Sequence, residues 1–187
     1  MSGDDIPLIT AARKGDANAF GVLVRRYQDR LYRTVARLVD NAEDARDVVQ
    51  ESFLHAYQAL DSFKGDALFF TWLYRIAVNA AISQRRKRKA ALSIHATFGG
   101  QGGVEPSDPS ERNRPGHALE QAEREHSIRS ALRRLSPEHQ AVLVMKEMDG
   151  KKYEEIASAL GVPVGTVRSR LHRARLELRE LLQESET

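Results

Sequence analysis

The sequence predicts an all-α protein made of two small helical domains joined by a flexible linker. Three observations carry this. Ile, Leu, Val and Phe recur at the three- and four-residue spacing of helices, not in the alternation of strands. A stretch rich in Gly and Pro, including Gly99-Gly100-Gln101-Gly102-Gly103, interrupts the middle of the chain. The 187 residues, 41% apolar and 29% charged, suit a soluble chain in which each half buries a modest core. The expected domains are residues 1–92 and 118–187, with the linker at 93–117.

The first half reads as four helices, three of which can be delimited. Asp16 is placed to cap a long core helix, because Phe20, Leu23, Val24, Tyr27, Leu31, Val35 and Leu38 follow at helical intervals. Asn41 is placed to cap the next, with Asp44 at the third position of a loose capping box. Its buried stripe is Ala45, Val48, Val49, Ser52, Phe53, Ala56 and Leu60. Lys64-Gly65-Asp66 breaks the pattern. A further helix then runs from about Ala67 to Lys89, through Trp72, Ile76 and Ala80, and ends in Arg85-Arg86-Lys87-Arg88-Lys89.

Periodicity disappears from Ser93 to about His117, where Pro106, Pro109 and Pro115 join the glycines, and this linker is expected to be disordered in the free protein. A helix from about Ala118 to Leu135 opens the second half. Ser136-Pro137-Glu138 supplies an N-cap, a first-position proline and an acid for the first turn of another, which ends by Asp149-Gly150. Tyr153 to Leu160, the break Gly161-Val162-Pro163 and a helix from Val164 towards Gln183 make a helix-turn-helix. On that last helix Val167, Leu171, Ala174, Leu178, Leu181 and Leu182 form one stripe, and Arg168, His172 and Arg175 lie beside it. One face is suited to packing, the other to the major groove, where Arg pairs bidentately with guanine. A solvated Arg-rich helix is the competing reading.

Composition excludes several classes. Absent cysteine removes disulfides and thiolate metal sites, and the six histidines form no HxxxH pair, so neither a metal nor a cofactor is expected. No apolar run approaches a membrane span, and Met1 to Thr10 carries Asp4 and Asp5, unlike a signal sequence, so a cytoplasmic location is expected. No nucleophile–base pair, phosphate-binding Gly loop or paired carboxylates are visible, so no catalytic site is expected. The net charge of +3 is small, but its distribution is uneven. Met1 to Ser62 holds ten acidic and eight basic residues; Phe63 to Leu92 holds one and seven. Such local positive charge suits a surface facing phosphates.

Two further constellations stand out. Phe63, Phe69, Phe70, Trp72 and Tyr74 crowd together, accompanied by Lys64, Arg75 and Asn79 and followed by the basic cluster. Core packing and binding of a melted DNA strand, with aromatics stacking on bases and cations tracking the backbone, both fit. Asp44, Asp47 and Glu51 share the polar side of the second helix. That side is either a solvated face or a docking surface for a basic partner helix.

The segments Asp47-Val-Val-Gln-Glu-Ser-Phe53, Phe63-Lys-Gly-Asp66, Phe70-Thr-Trp-Leu-Tyr-Arg-Ile-Ala-Val-Asn79, Tyr153-Glu-Glu-Ile-Ala157 and Pro163-Val-Gly-Thr-Val-Arg-Ser-Arg170 together resemble the extracytoplasmic-function sigma factors, especially the sigma-E type. The resemblance covers nearly all of the chain outside the linker. It implies a sigma region 2 domain followed by a region 4 domain, working with core RNA polymerase on promoter DNA. By this resemblance Asp44, Asp47, Gln50 and Glu51 dock on the clamp helices of the polymerase's largest subunit, and the second domain meets its flap region. Phe63, Lys64, Phe70, Trp72, Arg75, Asn79, Arg85 and Arg86 would serve the minus-ten element, including capture of a flipped base. Thr166, Arg168, Ser169, His172, Arg173 and Arg175 would meet the minus-thirty-five element. A cognate anti-sigma factor is also implied, and the protein itself is expected not to enter the membrane. His172 and the Gly-rich linker depart from the sigma-E-like pattern.

Two rival readings remain open from the residues alone. One is a ligand-responsive helix-turn-helix repressor that binds duplex operators without polymerase. The other is a helical enzyme acting on nucleic acid, for which no metal-binding or acid–base constellation is present.

Overall fold

In a computed structural model of the chain, residues 5–97 and 117–185 are described, and among them every regular element is helical. The first half contains α1 (Asp5–Arg13), α2 (Ala17–Val35), α3 (Ala42–Gln58), a 3-10 turn at Leu60–Ser62 and α4 (Phe69–Thr97). The second contains α5 (His117–Arg134), α6 (Pro137–Leu143) running into a π turn at Val144–Met148, α7 (Tyr153–Leu160) and α8 (Val164–Ser185).

The expected caps form. Asp16 accepts from the amides of Asn18 at 2.9 Å and Ala19 at 3.2 Å, and Asn41 accepts from that of Asp44 at 2.8 Å. The Ser136 hydroxyl accepts from the His139 amide at 3.2 Å, with Pro137 at the start of α6. Each such cap contributes about 1 kcal/mol by satisfying amides that have no partner within the helix. Gly161, at φ 65°, ends α7 in the left-handed conformation that a side chain would strain.

Three boundaries differ from expectation. Helix α2 stops at Val35 instead of continuing through Leu38, because the amides of Arg37 and Leu38 bond to carbonyls three residues back and tighten the chain. This turn still buries Leu38 and Val39. Helix α4 begins at Phe69 and passes Lys89 to reach Thr97; no Gly or Pro interrupts Ala90 to Thr97. Helix α1, which the sequence left undelimited, is fixed by Asp5, whose buried carboxylate accepts from Arg26 at 2.5 Å and Tyr27 at 2.6 Å. The rest of the expected disordered linker, 98–116, lies outside the described residues.

The halves share a core. Leu73, Tyr74, Ala77, Val78 and Ala81 of α4 join one buried cluster with Leu135, Val142, Met145 and Ile156 of the second half. Helix α4 therefore packs on α3 and α2, and also against α6 and α7. Burial of apolar surface from both halves is the dominant attraction across this boundary.

Candidate nucleic-acid interface

The acidic side of α3 divides in two. Asp47, Gln50 and Glu51 are exposed on one face. Asp44 is instead tied to α4, accepting from Gln84 at 3.0 Å and pairing with Arg88. One turn beyond Glu51, Leu54 is 55% exposed and Tyr57 39%. These two apolar side chains extend the acidic face and were not singled out from the sequence. The signal was available, since Leu54 falls off the buried stripe of Val48, Ser52 and Phe53.

The aromatic segment is largely core. Phe63, Phe69, Phe70 and Tyr74 are buried and Trp72 is half-buried. Phe63 contacts Phe69 edge-on, with ring centroids 5.9 Å apart, and meets Trp72 at 5.2 Å. Edge-to-face contacts of this kind order aromatic rings beyond their area burial. Arg13 of α1 holds the loop from behind by donating to the carbonyls of Leu60, at 3.1 Å, and Phe63. Gly65, with φ 81°, makes the turn that leaves Lys64 exposed at the loop's tip. Arg75 and Asn79 lie exposed along α4, but the Asn79 amide donates to the Arg75 carbonyl at 2.8 Å and to that of Ala159, in the second half, at 3.0 Å.

The basic cluster departs most from expectation. Arg85 was expected to face DNA phosphates, yet it is 3% exposed, wedged between the halves. It donates to the Gln140 side chain and, at 2.6 Å, to the Arg133 carbonyl, while its Nε lies 3.6 Å from Asp40. Burial lowers its pKa, and nearby Asp40 offsets part of that shift. Arg86 pairs with Glu138, and Lys89 donates to the Leu135 carbonyl at 2.6 Å. Partial burial would raise the Glu138 carboxyl, but hydrogen bonding and the charge of Arg86 outweigh it and leave the pKa lowered. In this arrangement Arg85 is enclosed by the protein, whereas Arg86 stays exposed and pairs with Glu138 at the surface.

Helix α8 matches its expected pattern. Val167, Leu171 and Ala174 are buried against α6 and α7. Arg168, Ser169, His172 and Arg173 are exposed, and Thr166 is half-buried near the start of the helix. Arg168 lies over the Tyr153 ring at 5.9 Å, at the outer range of a cation–π contact. Arg175 is exposed but engaged by Glu147, at 2.6 Å.

With this geometry in view, the relationships of the chain are decisive. The family model for sigma-70 region 2 matches residues 23–91, and that for sigma-70, region 4 matches residues 125–178. The chain is 36% identical over 186 residues to the RNA polymerase sigma-H factor of Pseudomonas aeruginosa, covering 96% of this chain and 94% of that protein. It is 40% identical over 177 residues to the ECF RNA polymerase sigma-E factor of Escherichia coli K12, covering 91% and 90%. The chain belongs to the extracytoplasmic-function sigma factors.

Solved structures agree with this sigma factor's fold. CnrH in complex with the cytosolic domain of CnrY superposes with a TM-score of 0.62 at 29% identity, covering 96% of this chain and 97% of that one. The sigma factor RpoE of Bartonella quintana, in complex with the anti-sigma factor NepR, gives 0.63 at 25% identity, covering 88% and 96%. The repressor alternative fails on this finding, because sigma regions account for both halves. No described helix is long and apolar enough to cross a membrane.

Proposed function

We propose that this protein acts in the cytoplasm as a non-catalytic subunit of RNA polymerase, reading two promoter elements while the core enzyme performs the chemistry. The observation that carries this reading is the pairing, on one chain, of a helix-turn-helix presenting Arg168, Ser169, His172 and Arg173 with an aromatic loop over Phe63–Trp72. The first feature suits duplex DNA, and half-buried Trp72 with exposed Lys64 at the loop's tip suits a separated strand.

The exposed face of Asp47, Gln50 and Glu51, extended by Leu54, is the proposed clamp-helix contact, with charge setting orientation and Leu54 supplying apolar burial. The second half would meet the flap region. Tethering both halves to polymerase raises the effective concentration of the second DNA contact, so neither half needs to bind tightly alone. Asn79, Arg85 and Arg86 make contacts between the halves; use of buried Arg85 on minus-ten DNA requires the halves to separate, whereas exposed Asn79 and Arg86 would exchange one partner for another. A cognate anti-sigma factor would hold the protein inactive; the B. quintana RpoE–NepR complex lends support.

The direct test is run-off transcription with purified core polymerase on a promoter library. Initiation that depends on this protein is the expected result. Duplex binding without polymerase, and no initiation with it, would contradict the proposal. Alanine at both Asp47 and Glu51 is expected to weaken capture of core polymerase and to leave thermal stability within about 0.5 kcal/mol, as for surface changes generally.

A further inference from the structure

A polar cluster lies where α2 and α4 meet the turn after the π segment. Asp149, carried by that turn, reaches from the second half to the first. Its carboxylate accepts from the Tyr74 hydroxyl at 2.8 Å and the Arg37 guanidinium at 2.9 Å, and lies 3.5 Å from the Thr34 hydroxyl. Arg30, Arg33, Arg37 and Lys151 line the same pocket, in which Asp149 is the one carboxylate.

Positive charge there exceeds what Asp149 can neutralise. Arg30 rests over the Phe70 ring at 3.9 Å, Arg33 donates, among the described residues, to the Asp29 carbonyl of its own helix, and Lys151, 5.1 Å from the Tyr74 ring, pairs with Glu155 at 3.4 Å. Arg30, Arg33 and Arg37 are exposed at three- and four-residue spacing, the first two on α2 and Arg37 in the tightened turn that follows it. Like charges at such spacing destabilise a helix unless an anion accompanies them. A carboxylate that receives a guanidinium and two hydroxyls occupies the geometry that a phosphate oxygen also takes.

We propose that Arg33, Arg37, Thr34 and Tyr74 form a binding site for backbone phosphates of the separated DNA strand, and that Asp149 fills it as a phosphate surrogate while the halves are packed together. The inference rests on the promoter-binding reading. It commits to a strand backbone over a free nucleotide because Arg30, which stays with the first half, covers the Phe70 ring, and the polar atoms that meet Asp149 are a guanidinium and hydroxyls. Phe70 also links the arginines to the aromatic loop, so a strand captured there would run onto α2. Separation of the halves withdraws Asp149 and uncovers the site.

The test uses holoenzyme assembled from core polymerase and the full chain, on a promoter with a pre-melted minus-ten region, with affinity measured against salt. Loss of two single-strand phosphate contacts in Arg33→Ala/Arg37→Ala is expected to reduce the slope of log affinity against log salt by about 1.4, from about 0.7 per contact. Arg33→Lys/Arg37→Lys is expected to restore the slope, which a purely structural role would not do. In the free chain, Asp149→Asn is expected to raise affinity for a single-stranded oligonucleotide several-fold, and Arg33→Ala/Arg37→Ala to cancel that gain. A holoenzyme that initiates normally with an unchanged slope in the alanine variant overturns this inference alone. Failure of the unaltered chain to support initiation overturns the promoter-binding reading and this inference with it.

Discussion

Helix α8 of this sigma factor keeps Arg168, Ser169, His172 and Arg173 on open surface, while α4 buries Arg85 and engages Arg86, Arg88 and Lys89 in pairs at its rim. Both helices are Arg-rich, and the difference lies in what packs against them. Helix α8 buries its apolar stripe and leaves Arg168 and Arg173 in water, with Arg175 paired to Glu147 at the surface. The basic end of α4 lies against α6 and the end of α5, whose carbonyls and side chains take up the guanidinium and ammonium groups. On the proposed reading, duplex contacts by α8 are open in this arrangement, as are Trp72 and Arg75 of α4, whereas any contact of Arg85 with a melted strand first requires the second half to leave.

The shared core ties the two halves together most strongly. Leu171→Ala, at a site 2% exposed, is expected to cost about 2–5 kcal/mol. If the halves unfold together, urea denaturation shows one transition displaced as a whole; two transitions with only one displaced would separate them. Arg85→Ala is expected to cost about 1–3 kcal/mol, because it leaves Gln140 and the Arg133 carbonyl without their buried donor. An unchanged urea midpoint would mean that Arg85 contributes nothing to closure.

Arg168→Ala sharpens the other side. It is expected to lose about 1–3 kcal/mol of discrimination at one upstream base pair, without a change in stability. Competition binding with single-base variants reads this; a uniform loss across all variants would reassign Arg168 to the phosphate backbone. The smallest effect concerns pH. The lowered pKa of Glu138 means that its contribution is present above the usual carboxylate range and is lost as pH falls through the folded-state value. Glu138→Gln should therefore flatten the acid limb of the stability profile, and an unaltered limb would remove the pair with Arg86 from the account.

Much of the fold was legible because it is local. Caps at Asp16, Asn41 and Ser136, the break at Gly161 and the stripe through Val167, Leu171 and Ala174 depend on neighbours in sequence. The exposed residues of α8 were legible for the same reason. The fate of Arg85 was not, since its partners Gln140 and Arg133 are about fifty positions away and charge patterning cannot reveal such pairing. Asp149 was hidden likewise: it read as a helix-ending residue, and only the π turn carries it to Tyr74 and Arg37. The aromatic segment was legible as a cluster, but which rings are buried depends on Arg13, Tyr27 and α1 behind it.

The most direct measurement is the distance between the halves, before and after polymerase binds. The chain has no cysteine, so Gln58→Cys and Glu154→Cys, both exposed positions, accept a donor and an acceptor dye. Efficient energy transfer in the free protein, lost on addition of core polymerase, is the expected result. Transfer that stays high in a holoenzyme able to initiate transcription would contradict the claim that Arg85 of α4 must be released before it meets DNA.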